Sequence, residues 1–186
     1  MRIVGGKYKR RRFDVPHTFK ARPTTDFAKE NLFNVLGNLV DFEECANVLD
    51  LFSGTGSIGV EFVSRGCGKV ISVEKDYAHY MFISKVQREL GDAAWLPLKA
   101  DVFKYIERCN TQFDIVFADP PYALERLGEL PDLILGAGML TPDGLLVLEH
   151  GADYTFTDHP HFMQEREYGS VHFTFFTAEE NQKDDL

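Results

Sequence analysis

Long apolar runs are missing from this 186-residue chain. No stretch approaches the roughly 18 residues that cross a bilayer, and no apolar segment of the kind found in a secretory signal follows the basic N-terminus. A cytoplasmic protein is therefore expected. Cysteine is scarce as well. Cys45, Cys67 and Cys109 are odd in number and widely spaced, which suits neither a disulfide framework nor a C-x-x-C metal or redox pair, and all three read as buried or incidental thiols. No metal site is expected from the histidines, since the H-x-H of His159 and His161 has no Cys or further acid at a supporting spacing. Repeats and low-complexity linkers are absent too, and 44% hydrophobic content suffices for one core with one active site.

Positive charge is in deficit overall, with a formal net of −9, but the deficit is uneven. Residues 1–22 hold eight Lys or Arg against one acid, a net +7, whereas the rest holds twelve against twenty-eight, a net −16. A basic segment on an acidic body points to phosphate recognised at one end of the molecule, with Lys7, Arg10, Arg11, Arg12 and Arg22 as candidate contacts.

Two short β-compatible stretches, 2–4 and 12–15, flank Gly5-Gly6 and the basic run, so a small hairpin is expected. After Arg22-Pro23, Thr24 or Thr25 can cap a helix through Asp26, Phe27, Leu32, Val35, Leu36 and Leu39. From Asn47 onward, short apolar runs alternate with amphipathic stretches, the pattern of βαβ units in a parallel sheet covered on both faces. Strands are expected at 48–52, 69–73, 96–100, 113–118 and 144–149, with helices at 57–65, 76–90, 102–108 and 124–135. The β-rich stretches 162–168 and 171–177, joined by Gly169-Ser170, imply an antiparallel ending. The expected organisation is a basic extension over 1–40 packed on a doubly wound α/β domain over 41–178, with a disordered tail over 179–186.

Asp50-Leu51-Phe52-Ser53-Gly54-Thr55-Gly56-Ser57-Ile58-Gly59 leaves an apolar strand and enters a helix, so its glycines can bring backbone amides close to a ligand. The G-x-G-x-x-G spacing also serves dinucleotide enzymes, and charge separates the alternatives. A pyrophosphate is repelled by a carboxylate such as Asp50, whereas S-adenosylmethionine brings an ammonium that an acid can pair and a carboxylate that loop amides can take. Glu74, about 20 residues on, suits the ribose hydroxyls. Asp101 suits the adenine amine or the cap of the next helix, roles that are compatible.

Asp119-Pro120-Pro121-Tyr122 follows the apolar run 113–118 and reaches the same sheet edge. Paired prolines fix φ and remove two donors, leaving a stiff turn rich in acceptors. An exocyclic amine on a nucleobase is a poor nucleophile because its lone pair is delocalised into the ring. Hydrogen bonds to Asp119 and to a backbone carbonyl would favour the tetrahedral nitrogen and stabilise its developing charge, with Tyr122 stacked on the base.

The residues quoted above, with Ile3-Val4-Gly5-Gly6-Lys7 and Arg22-Pro23-Thr24-Thr25-Asp26 leading into Glu30-Asn31-Leu32-Phe33-Asn34, resemble the bacterial 16S ribosomal RNA guanine-N2 methyltransferases called ribosomal small-subunit methyltransferase D. The resemblance covers most of the chain. It departs at Phe27, where many relatives carry a basic residue, and at Lys85, where asparagine is frequent. It implies a Rossmann-like, seven-stranded methyltransferase fold, mostly parallel with an antiparallel last strand. It also implies action on 16S rRNA within an assembled or nearly assembled small subunit, and a monomer is expected although the sequence leaves oligomeric state open. Asp119, Pro120, Pro121 and Tyr122 become the catalytic motif. Asp50, Ser53, Gly54, Thr55, Gly56, Glu74, Lys75, Asp101 and Val102 become the S-adenosylmethionine site, and Arg22 and Thr24 mark its entrance. Other readings are an adenine-N6 methyltransferase, for which a chain this short leaves little room for a base-reading domain, a silent RNA-binding assembly factor, and a nicotinamide dehydrogenase.

Overall fold

The computed structural model describes residues 1–19 and 24–180. Arg22 and the tail from 181 on lie outside the described residues. The apolar runs become seven strands: β1 (Asn47–Leu51), β2 (Lys69–Glu74), β3 (Trp95–Lys99), β4 (Phe113–Ala118), β5 (Leu140–His150), β6 (Phe162–Tyr168) and β7 (Val171–Thr177). They form one sheet in the order β3-β2-β1-β4-β5-β7-β6. The first five pair in parallel, and β7 runs antiparallel to both β5 and β6.

The helices are α1 (Asp26–Leu39), α2 (Ser57–Ser64), α3 (Tyr77–Leu90), α4 (Val102–Arg108) and α5 (Leu130–Gly136). The Thr25 side chain accepts from Ala28 N and caps α1, and Asp76 caps α3 in the same manner through His79 N. Both sheet faces are covered. On one side Ile3, Leu32, Phe33, Phe62 and Trp95 pack with Phe173, which puts the N-terminal segment, α1 and α2 in a common core. On the other, Leu130 and Ile134 of α5 pack with Leu49, Val116 and Leu146.

The N-terminal stretches pair antiparallel as a small hairpin, through the bridge between Arg2 and Arg12 and the bonds Ile3 N to Arg11 O at 3.0 Å and Phe13 N to Met1 O at 2.9 Å. Two expectations need correction. The helix expected over 124–135 is broken into successive turns, a short 3-10 helix (Leu127–Glu129) and α5. Pro131 explains the break: it lacks an N–H for a preceding turn, yet its fixed φ suits the first turn of a new helix. Finally, β5 starts at Leu140, ahead of Thr141-Pro142-Asp143-Gly144. Between Phe113↔Leu140 and Ile115↔Leu145, β4 advances two residues while β5 advances five, so the turn-forming residues are looped out as an irregularity. A side chain at Gly144 would come within 2.9 Å of Phe113 O, which explains the glycine.

Candidate active site at the sheet switch point

β1 is followed by strands added on one side of it, whereas β4 and its successors add on the other. Where strand order reverses, the loops leaving adjacent strands diverge and open a crevice beyond their carboxyl ends. Both sequence motifs arrive there. Asp119 N donates to Leu51 O at 3.3 Å, joining the start of the Asp119–Tyr122 turn to the end of β1.

The glycine loop turns sharply because Phe52 (φ 58), Gly54 (φ 54) and Gly56 (φ 74) are all left-handed. Phe52 is a non-glycine held in that region, a strain that its surroundings must impose. Ser53 supplies the anchor, its hydroxyl lying 2.8 Å from Asp50 O and 3.1 Å from Val73 O. Ser53 therefore faces the scaffold. A side chain at Gly56 would meet the Trp95 ring at 2.8 Å. Thr55 and Val102 are buried beside the loop and at the start of α4.

Each acid of the expected donor site already holds protein donors. Asp50 is buried, and its Oδ2 accepts from Gly59 N at 3.1 Å and from Ser72 Oγ at 3.0 Å. Burial pushes its carboxyl up to about 7 against those bonds. Glu74 accepts from Gly54 N at 2.8 Å and from Asp76 N at 2.7 Å. Asp101 caps α4 through Phe103 N and Lys104 N, while its other oxygen lies 3.8 Å from Lys75 Nζ. Acceptor groups thus end three adjacent strands, a set that fits an ammonium and ribose hydroxyls better than a pyrophosphate.

The Asp119 edge differs. Asp119 is half-buried, and its carboxyl is held well above the usual range, first by burial and then by the charges of Glu149 and Asp50. Pro120 is buried and Tyr122 is half-exposed, its ring 4.0 Å from where a side chain on Gly151 would begin. Leu124 N donates to Pro121 O at 2.8 Å and closes the turn. Glu149, which sequence reasoning missed, lies one residue before the end of β5 beside this turn. It is 5% exposed, burial pushes its carboxyl up to about 7, and Thr24 hydrogen-bonds to it. The signal was available: an acid closing an apolar run at the carboxyl edge, the feature that drew attention to Glu74.

The basic segment is bound to the core by a second missed network. Glu61 is fully buried on α2 and accepts from Val4 N at 3.0 Å and Gly5 N at 2.7 Å. Buried Lys29 reaches Arg2 O and Ser57 Oγ and lies 3.8 Å from Glu61, and Arg65 pairs with Glu61 at 3.2 Å. Gly6, at φ 72, passes so close to Ser64 O that no side chain fits. Lys7 is ion-paired with Asp92 at 2.7 Å. Arg10, Arg11 and Arg12 are exposed, Arg11 over the Tyr8 and Phe13 rings.

The family model described as "Conserved hypothetical protein 95" matches residues 1–177. The chain is 31% identical over 149 residues to ribosomal RNA small subunit methyltransferase D of Escherichia coli (strain K12), covering 80% of this chain and 74% of that protein. It is 34% identical over 158 residues to the putative rRNA methyltransferase YlbH of Bacillus subtilis (strain 168), covering 81% and 82%. The solved structure of the putative methyltransferase yhhF from Escherichia coli superposes with a TM-score of 0.83 at 29% identity, over 97% of this chain and 99% of that one. The sheet order, the switch-point crevice and these likenesses define the S-adenosylmethionine-dependent methyltransferase fold. The chain belongs to the family "Conserved hypothetical protein 95", that of the ribosomal RNA small subunit methyltransferase D enzymes.

Proposed function

We propose that this protein is a cytoplasmic methyltransferase that uses S-adenosylmethionine to methylate the exocyclic N2 amine of a guanine in 16S rRNA. The observation that carries the reading is the hydrogen bond from Asp119 N to Leu51 O, which joins the acceptor-rich turn to the strand bearing the glycine loop. Relatives named for small-subunit rRNA methylation support the substrate class.

In this reading the donor supplies an electrophilic methyl group on a sulfonium. The chain's own residues bind and position. Gly54, Thr55 and Gly56 offer backbone to the donor's amino-acid end, Asp50 sets the loop's shape and charge, Glu74 accepts from the ribose, and Asp101 with Val102 bounds the base. Lys75 stands beside Asp101 at the rim. Asp119 and the Pro120 carbonyl accept from the target amine, which turns its lone pair toward the methyl group and stabilises positive charge at nitrogen during transfer. Positioning of the two reactants supplies most of the acceleration. Tyr122 stacks on the base, and Arg10, Arg11, Arg12 and Arg22 hold phosphates, with one protein copy acting on an assembled or nearly assembled subunit.

The test is transfer of labelled methyl from S-adenosylmethionine to small ribosomal subunits that lack the modification, followed by nucleoside mapping, for wild type and Asp119→Ala. Label on guanine N2 that disappears in the variant is expected. Label on another atom, or donor binding without transfer, would overturn the reading.

A further inference from the structure

Glu149 stands at the crevice but belongs to neither sequence motif. The register Ala118↔Leu148 makes Asp119 and Glu149 the next residues on adjacent parallel strands, so their carboxyl groups are delivered side by side. No hydrogen bond joins them among the described residues. Asp50, equally deep, holds the Gly59 amide and the Ser72 hydroxyl, whereas Glu149 has the Thr24 hydroxyl and its Oε2 meets no donor among the described residues. An acceptor left in that state destabilises the fold, and a Leu or Met of similar volume would avoid the loss. Its presence points to a donor that arrives with the substrate.

Guanine carries two adjacent donors on its Watson–Crick edge, N1–H and the N2 amine. Adenine pairs its exocyclic amine with an N1 acceptor. Two neighbouring carboxylates match the first edge and repel the second. Resting on the guanine-N2 reading above, we infer that Glu149 selects the base: its carboxylate accepts from guanine N1–H while Asp119 accepts from N2, and adenine is refused because its N1 lone pair would face an acceptor. Thr24 serves as the place-holder. It lines a cleft of about 380 Å³ with Arg2, Arg12 and Asp26, on the side where the basic segment stands. A base entering from that cleft reaches Thr24 first, and its N1–H replaces the hydroxyl on Glu149.

The experiment compares methyl transfer to reconstituted small subunits carrying either guanine or 2-aminopurine at the mapped target. 2-Aminopurine keeps the 2-amine but presents a lone pair at N1. Wild type should prefer guanine in kcat/KM by roughly 10²-fold or more, because a site built around a substrate N–H rejects the analogue lacking it. Glu149→Gln places an amide donor against N1 and should narrow that ratio at least about tenfold, with donor affinity preserved and the variant still folded. Glu149→Asp, which keeps the charge, should retain the guanine preference at a lower rate. Equal use of both bases by wild type would overturn the proposal, and so would an unchanged ratio in the Gln variant, whatever its absolute rate. Absence of any transfer to guanine N2 by wild type is a different result, which would bring down the methyltransferase reading and this inference with it.

Discussion

Two halves of one crevice are prepared in opposite ways. Along β1, β2 and the start of α4, the carboxylates of Asp50, Glu74 and Asp101 all hold backbone or hydroxyl donors from the protein. Along β4 and β5, one Glu149 oxygen meets no donor among the described residues, while burial raises the carboxyls of Asp119 and Glu149 as it does that of Asp50. The first half is organised before a ligand arrives, so little has to be rearranged when the methyl donor binds. The second half is short of donors, and the substrate's own N–H groups supply them. Binding of the correct base thus relieves a cost that the free protein carries, which concentrates selectivity on the target and away from the methyl donor.

The sharpest way to break this division is Asp119→Ala. Transfer should fall by about 10²–10³-fold in single-turnover kinetics, a size typical for removal of one group that stabilises charge in the transition state. Donor affinity, read by calorimetry, should hardly change, and a parallel loss of donor binding would erase the distinction between the halves. Glu74→Ala should do the reverse. It removes a charged acceptor from the Gly54 amide and should weaken donor binding by roughly 1.5–3 kcal/mol, while transfer at saturating donor survives.

Glu149→Gln sharpens the contrast through pH. A carboxyl raised from its ordinary value to about 7 binds protons more tightly in the folded state. Wild-type stability contributed by this group is therefore greatest at low pH and is lost as pH climbs through about 7. The glutamine variant lacks that loss, so at pH 8 it should be more stable than wild type by on the order of 1–2 kcal/mol, the difference closing toward pH 5. Thermal melts at the two pH values measure it, and a pH-independent difference would show that Glu149 does not titrate differently on folding. The smallest effect lies outside the crevice. Replacing Arg10, Arg11 and Arg12 together should reduce the logarithmic salt slope of RNA binding by roughly 0.7 for each phosphate that the variant no longer neutralises, and an unchanged slope would remove that face from the RNA interface.

The parts of this arrangement that were legible in the sequence are those set by local rules. Period and run length located the strands, Thr25 and Asp76 marked helix starts, and glycines at left-handed positions marked the loop. Residues whose role depends on distant partners were not legible. Glu61 reads as one polar residue in a helix, and only the docked Val4 and Gly5 amides 57 and 56 positions earlier make it a buried acceptor. Lys7 reads as free positive charge, and only the fold places Asp92 beside it. Glu149 was legible as an acid closing an apolar run, and only the register of β4 and β5 sets it beside Asp119. Pro131 falls inside the helix expected over 124–135 and breaks it, while β5 begins at Leu140, ahead of Pro142 and of the strand start expected at 144.

The clamp around Glu61 also dictates an order of assembly during synthesis. Ile3 and Phe13 leave the translating ribosome before the groups that receive their segment, which lie at Glu61, Ser64 and, for Lys7 and Tyr8, at Asp92. The segment must therefore wait, undocked, while roughly eighty further residues are added. The basic stretch is fastened only after the helix it leans on exists.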